Sequence, residues 1–189
     1  ALVLSGTPVA VGEGSAWVVD HARLSLLRID PRTNRVIARI SLSAVPDGVA
    51  VGDGLVWVRH NGVVASVTRV DPGTNRAAGT IQLPAGADGM AVGGGSVWVT
   101  DTTNDTLIKL DPATMSTSDT IDVGRSPQAV AVDDAGDVWV YNTGDSTVSK
   151  VDGGTGTVVV VIEIPRRAPD ETSAPRRGLA VGFGSLWVT

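Results

Sequence analysis

One phrase returns five times along the chain, and it limits the possible folds more than any other feature. It reads VAVGEGSAWVVD at 9–20, VAVGDGLVWVRH at 49–60, MAVGGGSVWVTD at 90–101, VAVDDAGDVWVYN at 130–142 and LAVGFGSLWVT at 179–189. Its tryptophans, Trp17, Trp57, Trp98, Trp139 and Trp187, are spaced by 40, 41, 41 and 48 residues. A second marker follows each phrase: Asp30-Pro31, Asp71-Pro72, Asp111-Pro112 and Asp152-Gly153, spaced by 41, 40 and 41. Two independent markers with one period define a repeat. A unit of this size buries its apolar face only by stacking on its neighbours.

Each unit reads as four short strands. A small apolar strand (Val49-Ala50-Val51) leads into a Gly-x-Gly turn, where glycine permits the positive φ of a tight hairpin. The second strand carries the tryptophan. After a polar loop comes a third strand, such as 106–110, closed by the Asp-Pro pair. There Asp accepts local backbone N–H groups and Pro presets φ, while Asn34 and Asn75 tolerate the left-handed region. The fourth strand, as in 36–42, ends the unit. No segment sustains a 3.6-residue apolar period, so almost no helix is expected.

Four strands every forty or so residues predict an all-β fold, a β-propeller of four-stranded antiparallel blades with four full repeats and a partial fifth. The repeats run at about 9–46, 47–87, 88–127, 128–176 and 177–189 within a single domain, 1–189. Ala10, Ala50, Ala91, Ala131 and Ala180 suit strands crowded about an axis, and the tryptophans fill the wider space between blades. Three readings of the blade number stay open. The chain is a stretch of a larger propeller, an imperfect five-bladed ring, or a partial ring that a second copy completes. The first residues carry neither an initiator Met nor the charged start of a signal peptide, so the chain reads as a mature or trimmed product.

Composition narrows the function classes. A net charge of -5 with scattered basic residues argues against a nucleic-acid surface. With no cysteine there is no disulfide framework and no thiol chemistry. The longest apolar run, Val158 to Ile162, is too short to span a bilayer. Two histidines, His21 and His60, make a structural zinc site improbable. The glycine pairs lack the helix and βαβ setting of a phosphate loop. Asp133-Asp134-Ala135-Gly136-Asp137 is acidic, but it takes the place of a hairpin turn and lacks the distal Glu of a calcium loop. No cofactor and no metal is expected. Arg28, Arg69, Lys109 and Lys150 each precede the repeat Asp by two residues, on the same strand face, and read as structural charges.

A ligand would meet the loops that converge at one mouth of a propeller channel. Two positions per blade point there by analogy with propellers. One lies two residues before the inner strand: Thr7, Asp47, Asp88, Gln128 and Arg177. The other closes the Trp strand: Asp20, His60, Asp101 and Asn142. Both vary among units whose other positions are uniform, and variation on a regular scaffold is where function is grafted. The last Trp step also holds an insertion of about seven residues, part of a basic, proline-rich loop from Pro165 to Arg177 with Arg166, Arg167, Arg176 and Arg177. It suits an anionic ligand or acidic partner.

The phrase VAVGxGxxWV, its polar loop and the Asp-Pro-x-Thr-Asn-Arg turn (30–35; Gly for the x at 71–76) resemble YVTN-type propeller repeats, related to NHL repeats and to the virginiamycin B lyase family. The resemblance covers essentially the whole chain. It implies the propeller fold and a bacterial protein that is extracellular or in the cell envelope. The lyase family places a histidine before an inner strand and a glutamate after the aromatic strand, with magnesium. The matching positions here are Thr7, Asp47, Asp88, Gln128 and Arg177 for the first, and Asp20, His60, Asp101 and Asn142 for the second. None carries the family residue, so the acid–base pair is absent from this stretch. The expected function is therefore a non-enzymatic binding, interaction or sensor domain for a protein, glycan or small ligand. The alternatives are a lyase of this class (a C–O lyase) with its catalytic residues absent or outside this stretch, and an assembly module completed by another copy.

Overall fold

The computed structural model describes residues 9–62, 64–165, 178–182 and 185–188. They fall into two compact units, 1–85 and 86–189. The first unit holds two sheets. Blade one comprises β1 (Val9–Gly12), β2 (Ser15–Asp20), β3 (Ser25–Asp30) and β4 (Arg35–Ser41). Blade two comprises β5 (Pro46–Gly52), β6 (Leu55–His60), β7 (Ser66–Asp71) and β8 (Arg76–Gln82). The second unit holds blade three, with β9 (Ala87–Gly93), β10 (Ser96–Asp101), β11 (Thr106–Asp111) and β12 (Ser116–Asp122). It continues with blade four: β13 (Pro127–Val132), β14 (Val138–Asn142), β15 (Thr147–Asp152) and β16 (Thr157–Glu163). A two-stranded fifth element, β17 (Leu179–Gly182) and β18 (Ser185–Val188), follows. Every sheet is an antiparallel meander in sequence order, the arrangement of propeller blades. The described residues contain no α-helix, only a 3-10 turn at His21–Arg23.

The two recurrent turns have separate physical causes. In the first hairpin the left-handed residues are Glu13 and Gly14 (φ 51° and 68°), Asp53 and Gly54 (53° and 77°), and Gly94 and Gly95 (63° and 74°). The preceding glycine serves a different purpose from the one its motif suggested. A Cβ on Gly12 would lie 2.5 Å from Val51 Cγ1, and one on Gly93 would lie 2.8 Å from Val132 Cγ1. That glycine lets the next blade approach; only its successors make the turn. In the second turn, Asp30, Asp71, Asp111 and Asp152 accept the N–H two residues on at 2.7–2.9 Å. Asn34, Asn75, Met115 and Gly156 then take φ of 54–70° and donate back to the Asp carbonyl. Backbone N–H groups of the turn, from the residue two on at Asp30, Asp71 and Asp111 and from Thr155 at Asp152, hold the four carboxyls below their ordinary range, against a smaller opposing effect of burial.

In every unit the alanine of the inner strand lies opposite the tryptophan: Ala10–Trp17, Ala50–Trp57, Ala91–Trp98, Ala131–Trp139 and Ala180–Trp187. Trp17, Trp57 and Trp98 are at most 1% exposed, whereas Trp187 is 59% exposed. In the first unit Trp17, Leu26 and Ile40 pack against Val56, Val58 and Val70 of blade two. In the second, Trp98, Leu107 and Ile121 pack in the same way on Val138, Val140 and Val151.

A charge latches each of these seams. Arg28 lies 5.0 Å from the centre of the Trp17 ring and donates to Pro72 O (2.6 Å) and Asn75 Oδ1 (2.9 Å) in the next blade's turn. Lys109 does the same over Trp98 (5.1 Å), donating to Gly153 O at 2.7 Å. Lys150 stacks over Trp139 (5.1 Å) but pairs within its own blade with Asp137 at 2.6 Å. The periodic cations therefore combine cation–π contact with a charged hydrogen bond, a scaffold role.

Candidate functional site

Three of the positions before the inner strand share a local irregularity that the repeat alone does not disclose. Pairing of β5 with β6 jumps from Pro46–His60 to Gly48–Arg59, leaving Asp47 as the extra residue. β9 pairs Ala87 with Asp101 and then Met90 with Val99, so Asp88 and Gly89 face Thr100 alone. β13 pairs Pro127 with Asn142 and then Ala129 with Tyr141, leaving Gln128 extra. Each is a β-bulge, a device that re-aims a side chain and is common beside functional sites.

The bulges are held differently. In the first unit Asp47 forms a two-pronged ion pair with Arg59, at 3.1 Å to Nε and 2.9 Å to Nη2. Arg59 was not singled out from the sequence, although it sits beside His60 on the Trp strand. In the second unit Thr100 Oγ1 accepts the Gly89 N–H at 2.7 Å and so braces the bulge from below. Gly89 is needed there: a Cβ would lie 2.5 Å from the Gln128 carbonyl oxygen. The Asp88 and Gln128 bulges are therefore neighbours. Gln128 Oε1 is buried and accepts no hydrogen bond from the described residues.

The residues that close the Trp strands are all buried, and except for the His60 bond to Ala44 O in the preceding connection their bonds lie inside their own blades. Asp20 caps the 3-10 turn by accepting Arg23 N–H at 3.2 Å and takes Arg39 at 2.9 Å; the Arg39 bond outweighs burial and holds its carboxyl below the ordinary range. His60 bonds Ala44 O through Nδ1 (3.2 Å) and Thr68 Oγ1 through Nε2 (2.8 Å). With Nδ1 donating, Nε2 accepts from the Thr68 hydroxyl, which in turn accepts from Thr80 at 2.9 Å. Burial pushes the His60 pKa below its ordinary value despite the opposing backbone bonds, so the ring is neutral. Asp101 accepts Thr103 N–H, Asn104 N–H and Asn104 Nδ2 at 2.7–3.2 Å. Asn142 donates to Thr147 and Ser149, while its Oδ1 is a second buried oxygen without a partner among the described residues.

Thr7, Arg166, Arg167, Arg176 and Arg177 lie outside the described residues. The acidic turn of blade four is occupied with its own scaffold. Asp133 accepts Ala135 N–H and Asp137 N–H at 3.0 Å and Trp139 Nε1 at 2.9 Å. Among the described residues no three His, Asp or Glu side chains are grouped to hold a metal ion, and no helix is long and apolar enough to cross a membrane. The magnesium of the lyase family does not fit these positions. Asp101 has its carboxylate committed to a turn, Asn142 is uncharged, and neither a His nor a Glu from that family's pair is present.

No protein-family model matches the chain, and no curated protein matches it. Solved structures do. A streptogramin B lyase aligns at 18% identity and TM-score 0.75, covering 97% of this chain and 62% of that one. A catalytically inactive virginiamycin B lyase from Staphylococcus aureus, solved with quinupristin, gives 14%, 0.75, 96% and 61%. Hydrazine synthase from Kuenenia stuttgartiensis gives 17%, 0.72, 92% and 50%. The chain thus spans half to about three fifths of the length of these proteins. At such identities the likeness is one of fold: the chain is an all-β protein of propeller-type four-stranded blades, with virginiamycin B lyase among its structural neighbours.

Proposed function

We propose that this chain is a binding domain, extracellular or in the cell envelope, that recognises its ligand at the inner-strand bulges. The observation that carries the reading is the pair of adjacent bulges at Asp88 and Gln128, with the buried Gln128 Oε1 lacking a partner among the described residues. A buried amide oxygen left without a donor is costly, and a bound hydroxyl or amine would supply one. A carboxylate, Asp88, lies on the neighbouring bulge. Ligands bearing O–H or N–H groups, such as glycans and peptides, have that chemistry. Asp47 with Arg59 is the corresponding bulge of the first unit.

The reading is tested by backbone NMR of the full chain titrated with quinupristin, with a panel of neutral oligosaccharides and with short peptides. A bound probe should shift amides at 87–89 and 127–129, and Gln128→Ala should abolish those shifts. Shifts confined to other segments, or unchanged by Gln128→Ala, would overturn it.

The fold shared with two lyases supports a second reading, an enzyme of that class. Magnesium-dependent ring opening of quinupristin by the purified chain would establish it. Binding without turnover favours the first reading.

A further inference from the structure

The outer strand of blade four differs from the other three. β16 reads TVVVVIE and is exposed along its whole length. Val158, Val159, Val160, Val161 and Ile162 are 38–58% exposed, five consecutive β-branched residues at the edge of the sheet. Edge strands carry unpaired N–H and C=O groups, and proteins protect them with charges, bulges or proline. The outer strands of blades one to three are so protected: β4 carries Arg35 and Arg39, β8 carries Arg76 and the strand-weakening Gly79, and β12 carries Asp119 and Asp122. All four outer strands are bulged, blade four at Val159, so the bulge does not distinguish β16. The unbroken apolar run does: between Thr157 and Glu163 five β-branched residues follow one another with no charge and no glycine, and that composition favours strand addition.

We propose that β16 is a self-association edge, pairing antiparallel with β16 of a second copy of this chain about a two-fold axis near Val160. The strand's own chemistry selects that occupant. Read in opposite directions about Val160, the strand matches itself: Val158 meets Ile162, Val159 meets Val161, and Thr157 meets Glu163 at both ends. There the hydroxyl can donate to the carboxylate, and the two Glu163 side chains lie at opposite ends of the ladder. A parallel pairing would set Glu163 beside Glu163, a like-charge contact. A self-complementary patch is what an isologous two-fold contact requires. The inference is independent of the bulge site, which is at the other edge of the blade.

Sedimentation of the full chain across a dilution series, combined with hydrogen exchange, provides the test. The wild type should be dimeric, and Val160→Lys should raise its dissociation constant at least about tenfold, as edge lysines do in blocking strand pairing. Ala78→Lys, on the outer strand of blade two, should leave it unchanged. Exchange at 158–162 should slow as concentration rises, a readout that needs no variant if Val160→Lys fails to fold. A wild-type monomer throughout the series would overturn the proposal. So would a dimer with concentration-dependent protection away from β16.

Discussion

The two ends of each blade are built on opposite plans. At the end where the third strand turns into the fourth, blades one to four repeat one solution. An Asp carboxylate caps a left-handed turn. At two seams a cation from the preceding blade, clamped on its own tryptophan, grips that turn through a backbone carbonyl. At the end where the inner strand begins, no solution repeats except the bulge. Asp47 is paired with Arg59, Asp88 sits over a threonine-braced glycine, and Gln128 leaves an oxygen without a partner among the described residues. Uniformity marks what stacking requires, and diversity marks positions released from it.

The sharpest way to break this contrast is at the seam. Trp98→Ala removes a buried indole from the blade three–four core and should cost about 3–5 kcal/mol in urea unfolding. A loss below about 1 kcal/mol would mean that the seam does not hold blades three and four together. Lys109→Met deletes both the ring contact and the bond to Gly153 O, and should cost about 1–2 kcal/mol. Lys150→Met should cost less at the seam, because its partner Asp137 is in the same blade.

Trp57 refines the same comparison. Its Nε1 has no partner among the described residues, whereas Trp98 Nε1 donates to Gly93 O at 3.2 Å. Trp57→Phe should therefore be about 1 kcal/mol milder than Trp98→Phe, which gives up the bond to the Gly93 carbonyl.

Acid acts on the fold in two steps. The His60 pKa in the fold lies below its ordinary 6.5, so its contribution is complete above 6.5 and is lost as pH falls through the lower folded value. The turn carboxyls Asp71, Asp111 and Asp152 lie below 3.8 in the fold. Their contribution is complete above 3.8 and is lost at lower pH. His60→Gln should remove the first step from the urea midpoint against pH and leave the second.

The sequence already contained the blade, because the repeat writes its cause into each unit: alanine opposite tryptophan, Asp before a left-handed residue, a cation two residues before the Asp. It did not contain the role of Gly12 or Gly93, since the atom each avoids belongs to another blade and no local rule names it. Nor did it show the bulges. Asp47, Asp88 and Gln128 stood out by their variability, but a bulge follows from register between two strands, which spacing alone does not give. Burial of Asp20, His60, Asp101 and Asn142 was likewise hidden. Polar strand-end residues read as mouth-facing until their partners, such as Thr68 for His60 and Ser149 for Asn142, come into place from the next strand.

Blade three offers the most direct test, since it holds an aspartate at each end. Asp111 caps the repeated turn and Asp88 sits on the bulge. Urea unfolding of Asp111→Ala and Asp88→Ala should lower the midpoint more for the first than for the second. A stable Asp111→Ala beside a destabilised Asp88→Ala would contradict the division of the blade into a scaffold end and an end released from the demands of stacking.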